Sequence, residues 1–129
     1  MKIMLDTSAY VGFKRNIDEA VELIAGAGLV LLSAVVLGEL MFGFRNGTRF
    51  RENMKDLHMF LDHEAVELVE IGRDTADRYA RIAAGLKTQG TPIPTNDIWI
   101  AAHAMEHGAE LVTCDCHFEE IAGLVYTMF

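Results

Sequence analysis

The chain has 129 residues, of which 51% are hydrophobic and 23% charged, and a formal net charge of −8. That length suits one domain, residues 1–129, with a single core, and the acidic balance excludes gripping nucleic acid by bulk electrostatics alone. No apolar run approaches the roughly 20 residues that span a bilayer, and Asp6 falls too early for a secretory leader, so a cytoplasmic location is expected. A nuclease is not excluded, because site carboxylates count as negative even where a divalent cation neutralises them. Cys114 and Cys116 are one residue apart, a spacing that rarely forms a bridge.

Lys2 to Leu5 reads as a first strand, ending in Asp6, Thr7 and Ser8. Ala9–Arg15 reads as a short helical turn and Asp18–Ala25 as a helix closed by Gly26 and Gly28. Leu29–Leu32 is a continuous apolar run, the mark of a strand buried on both faces. Ser33 is placed to cap a helix over Ala34–Phe44, which is apolar almost all round and so is expected to be deeply buried. A further helix runs from Arg49 to Asp62, with Phe50, Met54, Leu57 and Leu61 on one face. Val66–Ile71 is a third strand, followed by an amphipathic helix over Arg73–Lys87 that turns Ala76, Tyr79, Ala80, Ala83 and Leu86 inward and stops at Gly90. Pro92 and Pro94 stiffen a loop, and Thr95 is read as the cap of a helix over Asn96–His107. Glu110–Thr113 is a fourth strand, Phe118–Ile121 a short helix, and Val125–Met128 a fifth strand. Strands alternating with helices imply a three-layer α/β/α sandwich around a mostly parallel, four- to five-stranded, Rossmann-like sheet, with the first strand at its centre.

Four acids stand out. Asp6 and Asp115 each follow an apolar strand, so a parallel sheet projects both from one edge, where ligands gather in open α/β folds. Taken alone, either is equally a turn residue. Glu39 is the single charge between Ser33 and Phe44, where burial without a partner would be costly. Asp97 opens a helix, where an acid also simply favours the helix dipole. Four clustered carboxylates repel unless a cation holds them together, and an oxygen-only donor set suits Mg²⁺ or Mn²⁺. That arrangement serves metal-assisted hydrolysis of a phosphodiester.

The order Asp6, Glu39, Asp97, Asp115 resembles the acidic quartet of PIN-domain ribonucleases. The match lies in Leu5-Asp6-Thr7-Ser8, in Gly38-Glu39-Leu40, in Pro94-Thr95-Asn96-Asp97 with Ile98 to Ala102, and in Leu111-Val112-Thr113-Cys114-Asp115. It covers essentially the whole chain, and the size resembles a VapC-type toxin of a toxin–antitoxin pair. The resemblance implies a PIN-like fold and a metal-dependent endoribonuclease. It further implies a homodimer, held inactive by a cognate antitoxin whose C-terminal segment blocks the acids. Asp6, Glu39, Asp97 and Asp115 would form the cluster around Mg²⁺ or Mn²⁺. Asp6, Asp97 and Asp115 would be metal ligands, with Asp6 and Asp97 foremost, and Glu39 would act through water or as a base. Thr7, Ser8, Asn96 and Thr113 would orient the carboxylates. Cys114 and Cys116 flank the last acid where many relatives carry basic or small polar residues, while His117-Phe118 matches a common variant.

Other signals carry less. Cys114, Cys116, His117, His103 and His107 do not have zinc-finger spacing, and the two helical histidines point well away from Asp97, so ordinary packing is expected there. Arg45, Arg49, Arg51 and Lys55 form either a guide for RNA phosphates or a solvated face. Met41, Phe42, Phe44, Phe50, Met54 and Phe60 are expected to be mostly core, with some left over for a dimer face or an antitoxin groove. Two rivals remain. A phosphoryl-transfer hydrolase of the haloacid-dehalogenase kind would need a second Asp where Ser8 stands. A non-catalytic doubly wound module would not need to keep four acids.

Overall fold

A computed structural model describes residues 1–129. In chain order the elements are β1 (Lys2–Leu5), α1 (Thr7–Lys14), α2 (Asp18–Ala25), β2 (Leu29–Ser33), α3 (Ala34–Arg45) and α4 (Phe50–Leu61). They continue with β3 (Val66–Val69), α5 (Arg73–Gln89), α6 (Thr95–Glu106), β4 (Glu110–Thr113), a 3-10 turn over Cys116–Glu120 and β5 (Tyr126–Met128). The five strands form one sheet in the order β3-β2-β1-β4-β5, and every pairing is parallel. Parallel strands require crossovers, and the intervening helices supply them and cover the sheet. The expected α/β/α architecture is therefore present, with β1 at its centre. No helix is long and apolar enough to cross a membrane.

The core explains why β1 is central. Ile3, Met4 and Leu5 are all fully buried, as are Leu32, Leu111 and Val112 on the neighbouring strands. Side chains alternate between faces along a strand, so burial of every consecutive residue means that both faces are covered. From β1 the chain winds outward to β2 and β3, then returns across the sheet to β4 on the other side of β1. This reversal opens a crevice at the carboxyl ends of β1 and β4, the place where doubly wound sheets carry ligands.

Several expectations need correction. Helix α3 is not deeply buried: only Val36 and Leu40 are, while Gly38, Gly43 and Arg45 are exposed and Phe42 is 68% exposed. One stripe of α3 meets the core, and its apolar remainder faces outward. The aromatic and methionine set is accordingly not mostly core; Met41, Phe44, Phe50, Met54 and Phe60 are half-buried, and of these Met41, Phe44 and Phe60 pack against the core. On α5, Ala76 and Ala80 are exposed, and the packed stripe is Thr75, Tyr79, Ile82, Ala83 and Leu86. Tyr79 stacks on Trp99 with ring centroids 4.0 Å apart, and so fixes that stripe against α6. Thr95 is the first residue of α6 and not its cap; Pro94 occupies the cap position and makes no side-chain bond. Helix α1 starts earlier than expected, at Thr7, because Asp6 caps it by accepting from the Ala9 N–H.

His103 links three elements and is wholly buried. Its Nε2 lies 3.1 Å from the Glu70 carbonyl oxygen and its Nδ1 2.8 Å from Ser33 Oγ. A carbonyl only accepts, so Nε2 carries the proton and Nδ1 accepts from the Ser33 hydroxyl. Ser33 Oγ in turn accepts from the Val35 N–H and caps α3. Helix α6, the start of α3 and the chain after β3 are thereby tied together.

Burial holds the His103 imidazole below its ordinary pKa of 6.5, while the nearby Glu106 charge opposes this and His107 adds to it. Between that lowered value and 6.5 the unfolded chain binds more protons than the folded one, so stability rises with pH across the window. His103 therefore contributes stability that is lost as pH falls below 6.5. Urea midpoints compared between pH 7.5 and pH 5 should fall further for the wild type than for His103→Asn. An equal fall in both would show that His103 does not carry this dependence.

Candidate active site

The two strand-end acids are built alike. Asp6 follows β1 and caps α1; Asp115 follows β4 and caps the 3-10 turn by accepting from the His117 N–H at 2.9 Å. The parallel register pairs Leu5 with Val112, so Asp6 comes level with Thr113. Thr113 Oγ1 donates to Asp6 Oδ2 at 2.5 Å and accepts from the Asp115 N–H at 2.9 Å. One buried hydroxyl thus joins the two acids. Ser8 makes a second link: its Oγ donates to Asp6 Oδ1 at 2.6 Å and accepts from the Cys114 N–H at 3.1 Å. With the Ala9 N–H also on Oδ1, Asp6 accepts three hydrogen bonds. A carboxylate oxygen has two lone pairs, so Oδ2 keeps one free.

Glu39 and Asp97 come from two helices. Glu39 is half-buried on α3. Thr7 Oγ1 donates to its Oε1 at 2.7 Å, and Asn96 Nδ2 approaches its Oε2 at 3.4 Å. Ser8 and Thr113 thus hydrogen-bond Asp6, while Thr7 and Asn96 hydrogen-bond Glu39. Asp97, in the first turn of α6, is 15% exposed.

The carboxylates sense one another. Burial pushes the Asp6 carboxyl above its ordinary 3.8, against the bonds from Ser8, Thr113 and Ala9, and the Asp115 charge adds to the rise. Burial also raises Asp97; the hydrogen bond from His117 lowers it, and the charges of Asp115 and Glu39 raise it again. Burial first, and the neighbouring charges after it, disfavour the ionised form of these acids, so they are arranged to gain from a cation.

Sequence reasoning did not place His117 in this group. Its Nδ1 lies 3.0 Å from Asp97 Oδ2 and 3.2 Å from Asp115 Oδ1. Asp97, Asp115 and His117 each offer a ligand atom, all within 4.8 Å of one another. Oxygen donors from two acids and one ring nitrogen fit a divalent cation. The signal available in the sequence was the spacing Asp115-Cys116-His117: a capping acid at a strand end turns the next residues back over itself. His103 and His107 stay outside the cluster, as expected. Of the basic residues, Arg49 pairs with Glu52, and the Arg45 guanidinium lies 4.6 Å above the Phe50 ring, which leaves fewer free cations there than the sequence suggests.

An all-parallel sheet with acids at its switch point is a doubly wound α/β arrangement. The family model described as PIN domain matches residues 3–124, and the chain belongs to that family. Among curated relatives, Ribonuclease VapC2 of Rickettsia felis is 29% identical over 130 residues, which cover 97% of this chain and 96% of the relative. Ribonuclease VapC2 of Haemophilus influenzae is 30% identical over 127 residues, covering 96% and 95%. Among solved structures, VapBC2 from Rickettsia felis, bound to a DNA fragment from their promoter, superimposes with a TM-score of 0.87 at 28% identity, covering 100% of this chain and 99% of that one.

Proposed function

We propose that residues 1–129 form a single nuclease domain, the toxin of a toxin–antitoxin pair, which hydrolyses RNA phosphodiester bonds with Mg²⁺ or Mn²⁺. The observation that supports this reading best is the convergence of Asp6, Glu39, Asp97 and Asp115 at one sheet edge, with Asp6 and Glu39 held by four hydroxyl or amide side chains. The relatives are ribonucleases by name. The rival phosphoryl-transfer reading lacks its second acid, since Ser8 stands there and serves Asp6.

Asp6, Asp97 and Asp115 would hold the cation. When bound, it supplies Lewis-acid stabilisation of charge on the phosphate and an acidified water. The chain's own residues do the rest. Glu39, fixed by Thr7 and Asn96, presents a carboxylate able to take a proton from an attacking water. Thr113 and Ser8 keep Asp6 in one orientation, so that no reorganisation is needed when charge develops. Location in the cytoplasm, where RNA is met, belongs to the same reading.

The similar solved assembly is named as a VapBC pair, which supports a cognate antitoxin here too. A groove of about 450 Å³ between α1, α2 and α4, lined by Phe13, Val21, Ile24, Met59, Phe60 and Val66, suits the apolar side of such a partner. A homodimer is part of the same reading, and Phe42 on α3 is the exposed aromatic available to it. One experiment tests the whole. The purified chain should cleave bacterial RNA with Mg²⁺ or Mn²⁺, stop in a chelator, and be suppressed by its cognate antitoxin. RNA left intact under every metal condition would overturn the reading.

A further inference from the structure

His117 is half exposed, and the turn that carries it is held in place. Its backbone N–H is held by Asp115 Oδ1, and its neighbour Phe118 is fully buried and anchors the turn. The ring nitrogen Nδ1 therefore points between two carboxylates from separate elements, 3.0 Å from Asp97 and 3.2 Å from Asp115.

We infer that His117 is a direct nitrogen ligand of the cation held by Asp97 and Asp115, and that this nitrogen makes the site favour Mn²⁺ over Mg²⁺. The inference rests on the metal-dependent reading above. Three arguments carry it. First, one imidazole nitrogen and two carboxylate oxygens, all within 4.8 Å of one another, converge on the place that a cation takes when the same three atoms become its ligands. Second, with metal–ligand bonds of about 2.1 Å, neighbouring donors of an octahedral shell lie about 3 Å apart, and the two observed separations match that edge. Third, His117 Nδ1 faces nothing but these two acids. Mg²⁺ is a hard ion that prefers oxygen and gives up water reluctantly. Imidazole suits first-row transition ions, so a nitrogen in the shell shifts preference toward Mn²⁺.

Pulsed electron paramagnetic resonance on the full chain loaded with Mn²⁺ reads this without any turnover. The wild type should show ¹⁴N modulation from a directly bound imidazole. His117→Gln should lose it, bind Mn²⁺ about tenfold or more weakly, and change little toward Mg²⁺. Because the side chain is half exposed, the variant should fold. Mn²⁺ bound at a site lost in Asp97→Asn, but with no nitrogen modulation or with modulation that survives in His117→Gln, overturns this inference and leaves the metal reading standing. Mn²⁺ that does not bind, or binds Asp97→Asn as tightly as the wild type, overturns the metal reading itself.

Discussion

Asp97→Asn should lower the rate of RNA cleavage on the order of a hundredfold to a thousandfold, the scale of losing one group that organises charge in the transition state. The substitution keeps the shape of the side chain but removes its charge. Asp97 is central to the cluster: it faces His117 directly, and the charges of both Asp115 and Glu39 push on it. Stability should barely move. An acid in the first turn of a helix contributes roughly 0.3–1 kcal/mol through the helix dipole, and relief from the two neighbouring carboxylates offsets that. Cleavage rates and urea midpoints on the same preparation check the prediction. A large loss of stability would mean that the lost activity reports unfolding, and full activity would remove Asp97 from the site.

The second large effect belongs to Thr113. It is wholly buried, and its hydroxyl serves Asp6 and Asp115 together. Thr113→Val fills the same space and deletes both bonds, leaving a buried carboxylate oxygen and a backbone N–H without their partner. Such a loss costs roughly 1–3 kcal/mol, and loosening residues that orient metal ligands typically lowers activity about 10–100-fold. Thr113→Ser, which restores the hydroxyl, should recover most of both. If valine at this position were neutral in stability and in rate, the hydroxyl would not be what joins the two acids.

Much of this site could be read before the fold was known, for a physical reason. Strand-end acids after apolar runs are local patterns, and Ile3 to Asp6 and Leu111 to Asp115 both show them. A parallel sheet then brings the two ends together without further information. Thr7, Ser8, Asn96 and Thr113 are singled out through the resemblance to PIN-domain ribonucleases, and each is a short polar residue next to an acid or one strand away.

What could not be read is long-range or depends on which face meets the core. The contact of His117 with Asp97 spans 20 positions and that of His103 with Ser33 spans 70, and no local periodicity encodes either. Helix α3 misleads because its apolar residues surround it, so its pattern does not say which stripe packs. The stripe is chosen by the sheet, and Phe42 is left outside. Helix α5 misleads in the opposite way. Alanines at helical spacing suggest an inward face, but Thr75, bonded to Glu106 at 2.5 Å, and the Tyr79–Trp99 stack set the rotation.

On the proposed reading, one acidic site both binds the cation and cleaves RNA. A single Mn²⁺ titration of the full chain, following melting temperature and initial cleavage rate together, tests it most directly. A ligand that binds only the folded state at 100 times its dissociation constant adds about 2.7 kcal/mol, so the melting temperature should rise measurably. The dissociation constant that fits the rise in melting temperature should match the Mn²⁺ concentration giving half-maximal cleavage, and both effects should disappear in Asp97→Asn. Cleavage at full rate in a chelator, or a metal-induced rise in melting temperature that persists in Asp97→Asn while cleavage is lost, would contradict the account.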